Sequence, residues 1–378
     1  MTKRRILYVT GTRADFGLMA RTLKAIDTDE GLALSILVTG MHLSPAYGST
    51  VNEIRAAGFR IAAEVPVDLG VNTGAAMARN LGTMLIGFTD VIERERPDIV
   101  LLLGDRGEML AAAIAATHED TAIVHIHGGE RSGTVDEPIR HAISKLAHFH
   151  FTSTEDARQR LVRMGERDDR VWAVGAPGLD GLREDAAVPR AELFASLRLD
   201  PSRPVALLVH HPVVQDAGSM ARETEEILAG LFAAGCQVVA MMPNSDAGGE
   251  HVRAVLQAAA SHPDLRLVTH FPRRDFISWM AAADLMIGNS SAGIIEAGSF
   301  GTPVVNIGSR QNLRERNRNV TDVAQAGEGL SEIIRGVVTR GRLEPRNVYC
   351  DGASAPRIAA LLTSIPLDPQ ALRKFNAY

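Results

Sequence analysis

The chain has 378 residues, 46% of them apolar and 22% charged, with a formal net charge of −5. That length exceeds one comfortable hydrophobic core, so two domains are expected, and the acidic balance argues against a general nucleic-acid binder. No apolar run approaches the ~18 residues that would span a membrane, and the N-terminal K-R-R-I-L-Y-V-T reads as a strand rather than a signal peptide.

Apolar strand runs alternate with helical patterns throughout, the signature of parallel α/β units. The first strand, Arg5 to Thr10, ends in G-T-R-A-D-F-G and passes into a helix holding Leu18, Leu23 and Ile26. Leu34 to Thr39 follows, then a helix near Thr50 to Ala57, a third strand, and a long helix from about Thr73 to Arg94. Ile99 to Leu103 ends in Gly104-Asp105-Arg106, and Ala122 to Ile126 ends in His127-Gly128-Gly129-Glu130. Phe149 to Thr152 and Val171 to Val174 complete a first domain, residues 1–178. A polar stretch with three prolines, Arg183 to Arg203, is the expected crossover.

The same rhythm restarts in a second domain, residues 179–350. Val205 to Val209 ends in His210-His211-Pro212, Cys236 to Met242 in Pro243-Asn244, and Leu265 to Thr269 in Phe271-Pro272. A short strand at Ala283 to Ile287 and another at Val304 to Ile307 are expected to be the last two. Between them lies G-N-S-S-A-G-I-I-E, and a final helix near Ala355 to Ser364 belongs to a C-terminal segment, residues 351–378. Cys236 and Cys350 are the only cysteines, and Cys236 sits in an apolar strand, so a reducing cytoplasm without disulfides is expected.

In open parallel sheets ligands bind beyond the carboxyl ends of the strands. If the two halves face each other, Arg13, Asp105, His127, Glu130, His211, Asn244 and Ser290 point into one interdomain cleft. Ser290 and Ser291, at a strand-to-helix junction, can cap the helix or bond a phosphate, and Glu296 is placed for ribose hydroxyls. Arg13 suits a diphosphate. Asp105 sits at the rim of a buried strand, where a carboxylate is costly unless it has a task or caps a turn. Asp136 and Arg140 lie four apart on a helix starting near Pro138, either as a surface ion pair or as parts of a site that divides acid and base roles. The five histidines from His125 to His150 fall on alternating faces and form no ligand pattern, so neither a metal nor any other cofactor is expected.

G-T-R-A-D-F-G, L-G-D-R, H-x-H-G-G-E followed by D-E-P-I-R-H-A-I-S-K, H-P-V, P-N-S-D-A-G and G-N-S-S-A-G-I-I-E-A-x-S-F-G-T-P-V-V-N-I-G-x-R-Q occur in that order. Together they resemble the hydrolysing branch of the UDP-N-acetylglucosamine 2-epimerase family, over nearly the whole chain to about residue 330. The resemblance implies a GT-B architecture: two Rossmann-like, doubly wound domains around an interdomain cleft, with the C-terminal helix crossing back. It implies a substrate that is a UDP- or GDP-linked N-acetylhexosamine, and a reaction without metal or redox cofactor. A base takes the C2 proton as the nucleoside diphosphate leaves C1, and water then adds to the 2-acetamidoglucal to give the free 2-epimer. By motif position Asp105 and Asp136 match the catalytic carboxylates. Arg13, Arg106, His211, Asn244, Ser290, Ser291, Glu296 and Arg310 match the nucleotide contacts, with Arg140 at the sugar end.

One departure stands out: His127 occupies a position where better-known members carry glutamate. Either His127 or Glu130 takes that role, or the substrate differs, with room for a 4-amino-modified sugar such as N,N′-diacetylbacillosamine, a precursor of legionaminic acid. A homodimer or homotetramer is expected. A GT-B glycosyltransferase would need an acceptor site where this chain clusters acids; a non-hydrolysing epimerase would return the nucleotide-linked sugar; a sensor would bind without turnover.

Overall fold

The computed structural model describes residues 3–71, 73–132, 136–213, 219–243, 248–349 and 352–377. Asn244 and Cys350 lie outside the described residues. Seven strands form the first sheet: β1 (Arg4–Thr10), β2 (Leu32–Thr39), β3 (Ile61–Val65), β4 (Ile99–Leu103), β5 (Ala122–Ile126), β6 (Phe149–Thr152) and β7 (Val171–Ala173). Six form the second: β8 (Val205–Val209), β9 (Gln237–Met241), β10 (Leu265–Val268), β11 (Leu285–Gly288), β12 (Val304–Ile307) and β13 (Val320–Val323).

Every pairing is parallel, in the orders β3-β2-β1-β4-β5-β6-β7 and β10-β9-β8-β11-β12-β13. The central strands I-V-L-L-L and V-A-L-L-V are buried along their whole length, as sheets covered on both faces require. Separate apolar clusters fill the two faces of each sheet, around Ile6 and Leu7 in the first and Leu207 and Leu208 in the second. Truncating one such residue, Leu101→Ala for example, typically costs 2–5 kcal/mol.

In each sheet the strand order reverses beside the first strand, between β1 and β4 and between β8 and β11. Crossover helices leave in opposite directions there, which opens a crevice at the strands' carboxyl ends. The chain returns to the first sheet at its end: Ile358, Leu362 and Ile365, on or just beyond the helix Ser354–Ser364, are buried in the cluster of Ile6, Met19 and Leu23.

Most strand boundaries lie within two residues of expectation. The exception is β13, a further strand beyond the two expected to be last. V-T-D-V is short and half exposed at the sheet edge, so its apolar content is too low to stand out.

Candidate active site

Gly11 to Arg13 follow β1, and Thr12 opens the helix Arg13–Thr28 with a capping box. Asp15 Oδ2 accepts from the Gly11 and Thr12 amides at 3.1 and 2.9 Å, which fixes the turn and sets Arg13 in the first helical position. Burial lifts the Asp15 carboxyl to about 6 against those bonds. Glu53 takes the Arg13 Nε at 2.9 Å, while Arg13 Nη2 is buried with no partner among the described residues.

The rim after β4 and β5 is held together by His125. Its Nε2 lies 2.7 Å from the Gly104 carbonyl and its Nδ1 3.0 Å from Ser144 Oγ. A carbonyl can only accept, so Nε2 carries the hydrogen, and burial keeps the ring neutral with a pKa lowered to about 3. His125 thereby ties the Asp105 turn to the helix Asp136–Leu146. The His127–Gly129 turn is tight. His127 and Gly129 both have positive φ, 66° and 76°, and a Cβ on Gly129 would stand 2.3 Å from the Ala157 carbonyl oxygen.

Around that turn four charged side chains lock together. Arg140, fully buried, donates to Asp105, to the Glu130 carbonyl at 3.1 Å and to Ser132 Oγ at 3.3 Å. Arg314 reaches across from beyond β12, pairing with Glu130 and lying 3.8 Å from Asp105. Ser153 donates to Glu130 at 2.7 Å, and His127 Nδ1 lies 3.2 Å from the same Oε1. Burial would raise both acids, but Arg140, Arg314 and Arg310 hold Asp105 down at about 2, and Arg314, His127 and Arg140 hold Glu130 below the ordinary glutamate value. Both are carboxylates at neutral pH. Asp136, at the start of its helix, faces Arg310 at 3.8 Å across the cleft.

From the second sheet, Gly288 ends β11 with φ 126°, where a Cβ would stand 2.2 Å from the Val209 carbonyl oxygen. The next residue, Asn289, exchanges two 2.8 Å bonds with the His211 backbone, so the ends of β8 and β11 are pinned together. Ser290 caps the helix Ser291–Ile295 by accepting from the Ala292 amide; Ser291 is not the cap. Glu296 is buried and paired with Arg273, which also donates to the Gly178 carbonyl at 2.8 Å. Arg310 donates to the Asn289 carbonyl at 3.2 Å.

These groups share one cavity of about 310 Å³ between the sheets, within the usual size range for a small-molecule site. Its lining includes Arg13, Asp105, Arg106, His127, Glu130, Asp136, Arg140, His211, Ser290, Ser291, Glu296 and Arg310, so every expected site residue among the described ones lies on it. Arg273 and Arg314 line it as well and had not been expected. Arg314 sits in R-Q-N-L-R-E-R, four residues beyond Arg310, where a basic run reads as a solvated loop. No helix among the described residues is long and apolar enough to cross a membrane.

Two parallel α/β halves closing on a cavity lined by arginines, serines and paired acids define a two-domain enzyme of the GT-B type. The chain belongs to the UDP-N-acetylglucosamine 2-epimerase family, whose model matches residues 24–363. It is 49% identical over 375 residues, 99% of this chain and 100% of the relative, to a UDP-N,N′-diacetylbacillosamine 2-epimerase (hydrolyzing) of Legionella pneumophila. It is 32% identical, over 85% of each chain, to a GDP/UDP-N,N′-diacetylbacillosamine 2-epimerase (hydrolyzing) of Campylobacter jejuni. The UDP-N-acetylglucosamine 2-epimerase of Neisseria meningitidis, solved bound to UDP-N-acetylglucosamine, has the same fold. Its TM-score is 0.79 at 19% identity, covering 95% of this chain and 99% of that one.

Proposed function

We propose that the protein is a hydrolysing 2-epimerase of a UDP-linked 2-acetamido sugar, with UDP-N,N′-diacetylbacillosamine as first choice, feeding legionaminic- or sialic-acid-type synthesis. The observation that carries the reading is the composition of the cavity. Proton-moving groups from the first sheet, His127 and Asp136, face phosphate-directed groups from the second, Ser290, Ser291 and Arg310, across one space. The substrate choice rests on the 49% identical relative.

Arg13, Arg106, His211, Ser290, Ser291 and Arg310 take the diphosphate, Glu296 the ribose, and Arg140 supports the sugar. One group removes the C2 proton; the C–H electrons form the C1–C2 double bond as the C1–O bond breaks, and the nucleoside diphosphate carries the charge away. Arginines around the diphosphate stabilise that charge. Water then adds its oxygen at C1 while C2 is protonated from the opposite face, yielding the free epimer. Asp105, held ionised by the neighbouring arginines, is available as a proton acceptor on the first-sheet side of the cavity and also orients Arg140 and Arg314.

The test is incubation in D₂O with UDP- and GDP-linked N-acetylglucosamine and N,N′-diacetylbacillosamine, with no acceptor. Expected are nucleotide release and a free 2-epimer carrying one deuterium at C2. Release only with an added acceptor, or product without deuterium at C2, refutes the reading.

A further inference from the structure

Resting on the reading that the turn after β1 grips a diphosphate, we propose that His42, acting through Thr10 and Asp15, is a positioning residue for Arg13. It braces the Arg13 turn and residues 40–56 into one unit, which Tyr47 carries onto the second domain.

The turns after β1 and β2 stand back to back. Gly40 has φ 59°, and a Cβ there would stand 2.8 Å from the Gly11 carbonyl oxygen, so the two turns meet through bare backbone. Beneath that contact runs a chain of four buried side chains, of which His42 and Thr10 are completely enclosed. Asp15 accepts from the Thr10 hydroxyl as well as from the Gly11 and Thr12 amides. Thr10 Oγ1 lies 2.9 Å from His42 Nε2, and His42 Nδ1 lies 2.8 Å from Thr50 Oγ1. Thr10 gives its one hydrogen to the carboxylate, so toward His42 it accepts; Nε2 therefore carries the ring hydrogen and Nδ1 takes one from Thr50. Burial lowers the ring's pKa to about 4, which leaves it neutral at pH 7 with both nitrogens in use.

The chain reaches Arg13 from both ends. Asp15 fixes the backbone that presents it, and just past Thr50 the helix Val51–Ala56 supplies Glu53, which receives Arg13 Nε at 2.9 Å. Arg13 Nη2 is left buried on the cavity side without a partner among the described residues, as the part of the guanidinium free for a ligand. A capping box alone accounts for Asp15 and Thr12. It gives no reason for an imidazole that ties the box to the next turn.

The same segment touches the opposite domain. Met41, Ala46 and Tyr47 line the cavity, and Arg253, on the helix Gly249–Ala258, lies over the Tyr47 ring at 5.6 Å from its centroid. Gly48 stands so near His270 that a Cβ would come within 2.9 Å of the ring. A guanidinium aimed by one turn and braced by a second, itself seated on the other domain, loses little freedom when a ligand arrives. Preorganisation of that kind favours affinity.

Because the ring is neutral and the hydroxyl uncharged, Thr10→Val and His42→Leu alter the geometry of the site without altering its charge. The experiment measures UDP affinity by calorimetry, KM and kcat from nucleotide release, and the melting temperature. It compares wild type, Thr10→Val, Thr10→Ser, His42→Leu and the Thr10→Val/His42→Leu double variant. Expected is UDP binding weakened roughly tenfold in Thr10→Val and in His42→Leu, with a matching rise in KM. The change in kcat should be smaller, since the rim that carries Asp105 and Asp136 is untouched. The double variant should bind no more weakly than the weaker single one, because the first lesion already breaks the chain, and Thr10→Ser should stay close to wild type. Unchanged UDP affinity and KM beside a lowered melting temperature, or losses that multiply in the double variant, overturn the proposal. Should His42→Leu fail to fold, Thr10→Val against Thr10→Ser still decides, and equal affinities in those two overturn it. Deuterium at C2 of the wild-type product is scored separately, so failure of the epimerase reading is distinct from failure of this assignment.

Discussion

Glu166 offers a quantitative handle on the helix that carries Asp136 and Arg140. Its carboxylate is 5% exposed and accepts from Lys145 at 2.6 Å, from His150 Nε2 at 3.0 Å and from Lys374. Lys374 also donates to the Ser144 and Ala147 carbonyls at 3.3 and 2.5 Å, so the C-terminal tail closes the last turn of the helix Asp136–Leu146 through the same acid. Burial opposes the charge, but His150, Lys145 and Lys374 outweigh it and bring the carboxyl from 4.5 to about 2. At 1.36 kcal/mol per pH unit, that fall corresponds to roughly 3 kcal/mol. Lys145 is more than a third exposed, and solvent screening reduces the expected contribution to ~1–2 kcal/mol.

The sign follows from the lowered value: the stabilisation is complete above pH 4.5 and fades as pH falls toward 2. Glu166→Gln should therefore cost ~1–2 kcal/mol at pH 7, with the gap to wild type closing below pH 4.5. Urea unfolding at pH 7, 5, 4 and 3 measures it, with amide exchange over residues 136–146 as a local readout. A gap that stays constant from pH 7 to 3, or unchanged exchange in that helix, refutes the reasoning.

Ser290→Ala should lower stability by about 1 kcal/mol, the value of an N-cap, whereas Ser291→Ala should leave the melting temperature alone and weaken UDP binding by ~1–2 kcal/mol in calorimetry. Gly129→Ala should be strongly destabilising, because its Cβ would stand 2.3 Å from the Ala157 carbonyl oxygen at φ 76°; a melting temperature within two or three degrees of wild type, about 1 kcal/mol for a chain of this size, contradicts that. Asp136→Asn should slow nucleotide release by 10²–10⁴-fold with UDP affinity nearly intact, read by single-turnover assay and calorimetry.

What was legible in the sequence is what local chemistry determines. Uninterrupted apolar runs such as Ile99–Leu103 announce buried parallel strands, and glycines at 104, 129 and 288 mark where each one stops. Polar residues just past those stops therefore had to fall on the crevice side, and Asp105, His127 and Ser290 do. Partnerships between distant segments left no such mark. Arg314 and Glu130 are 184 residues apart, and nothing in the spacing of either motif predicts that they meet. Nor does sequence reveal that Arg273 pairs with Glu296, or that Arg140, Arg314 and Arg310 surround Asp105 and favour its ionised form. β13 was missed because an edge strand of four half-exposed residues buries too little to be periodic.

The chain passes between the two sheets twice, once after β7 and once before the helix Ser354–Ser364, and the two passages are bonded to each other. The Ala176 amide donates to the Tyr349 carbonyl at 3.1 Å, and Asp180 accepts from the Ser354 amide at 2.9 Å and from the Ala355 amide. Meanwhile Arg4, at the start of β1, donates to the Leu362 and Ile365 carbonyls at 2.9 and 2.8 Å, tying the first strand to the carboxyl end of the helix Ser354–Ser364. Topologically the molecule is a closed ring pinched at its waist. A single proteolytic cut between Arg198 and Ser202 leaves the halves joined through the other passage, at the millimolar effective concentrations of a short tether.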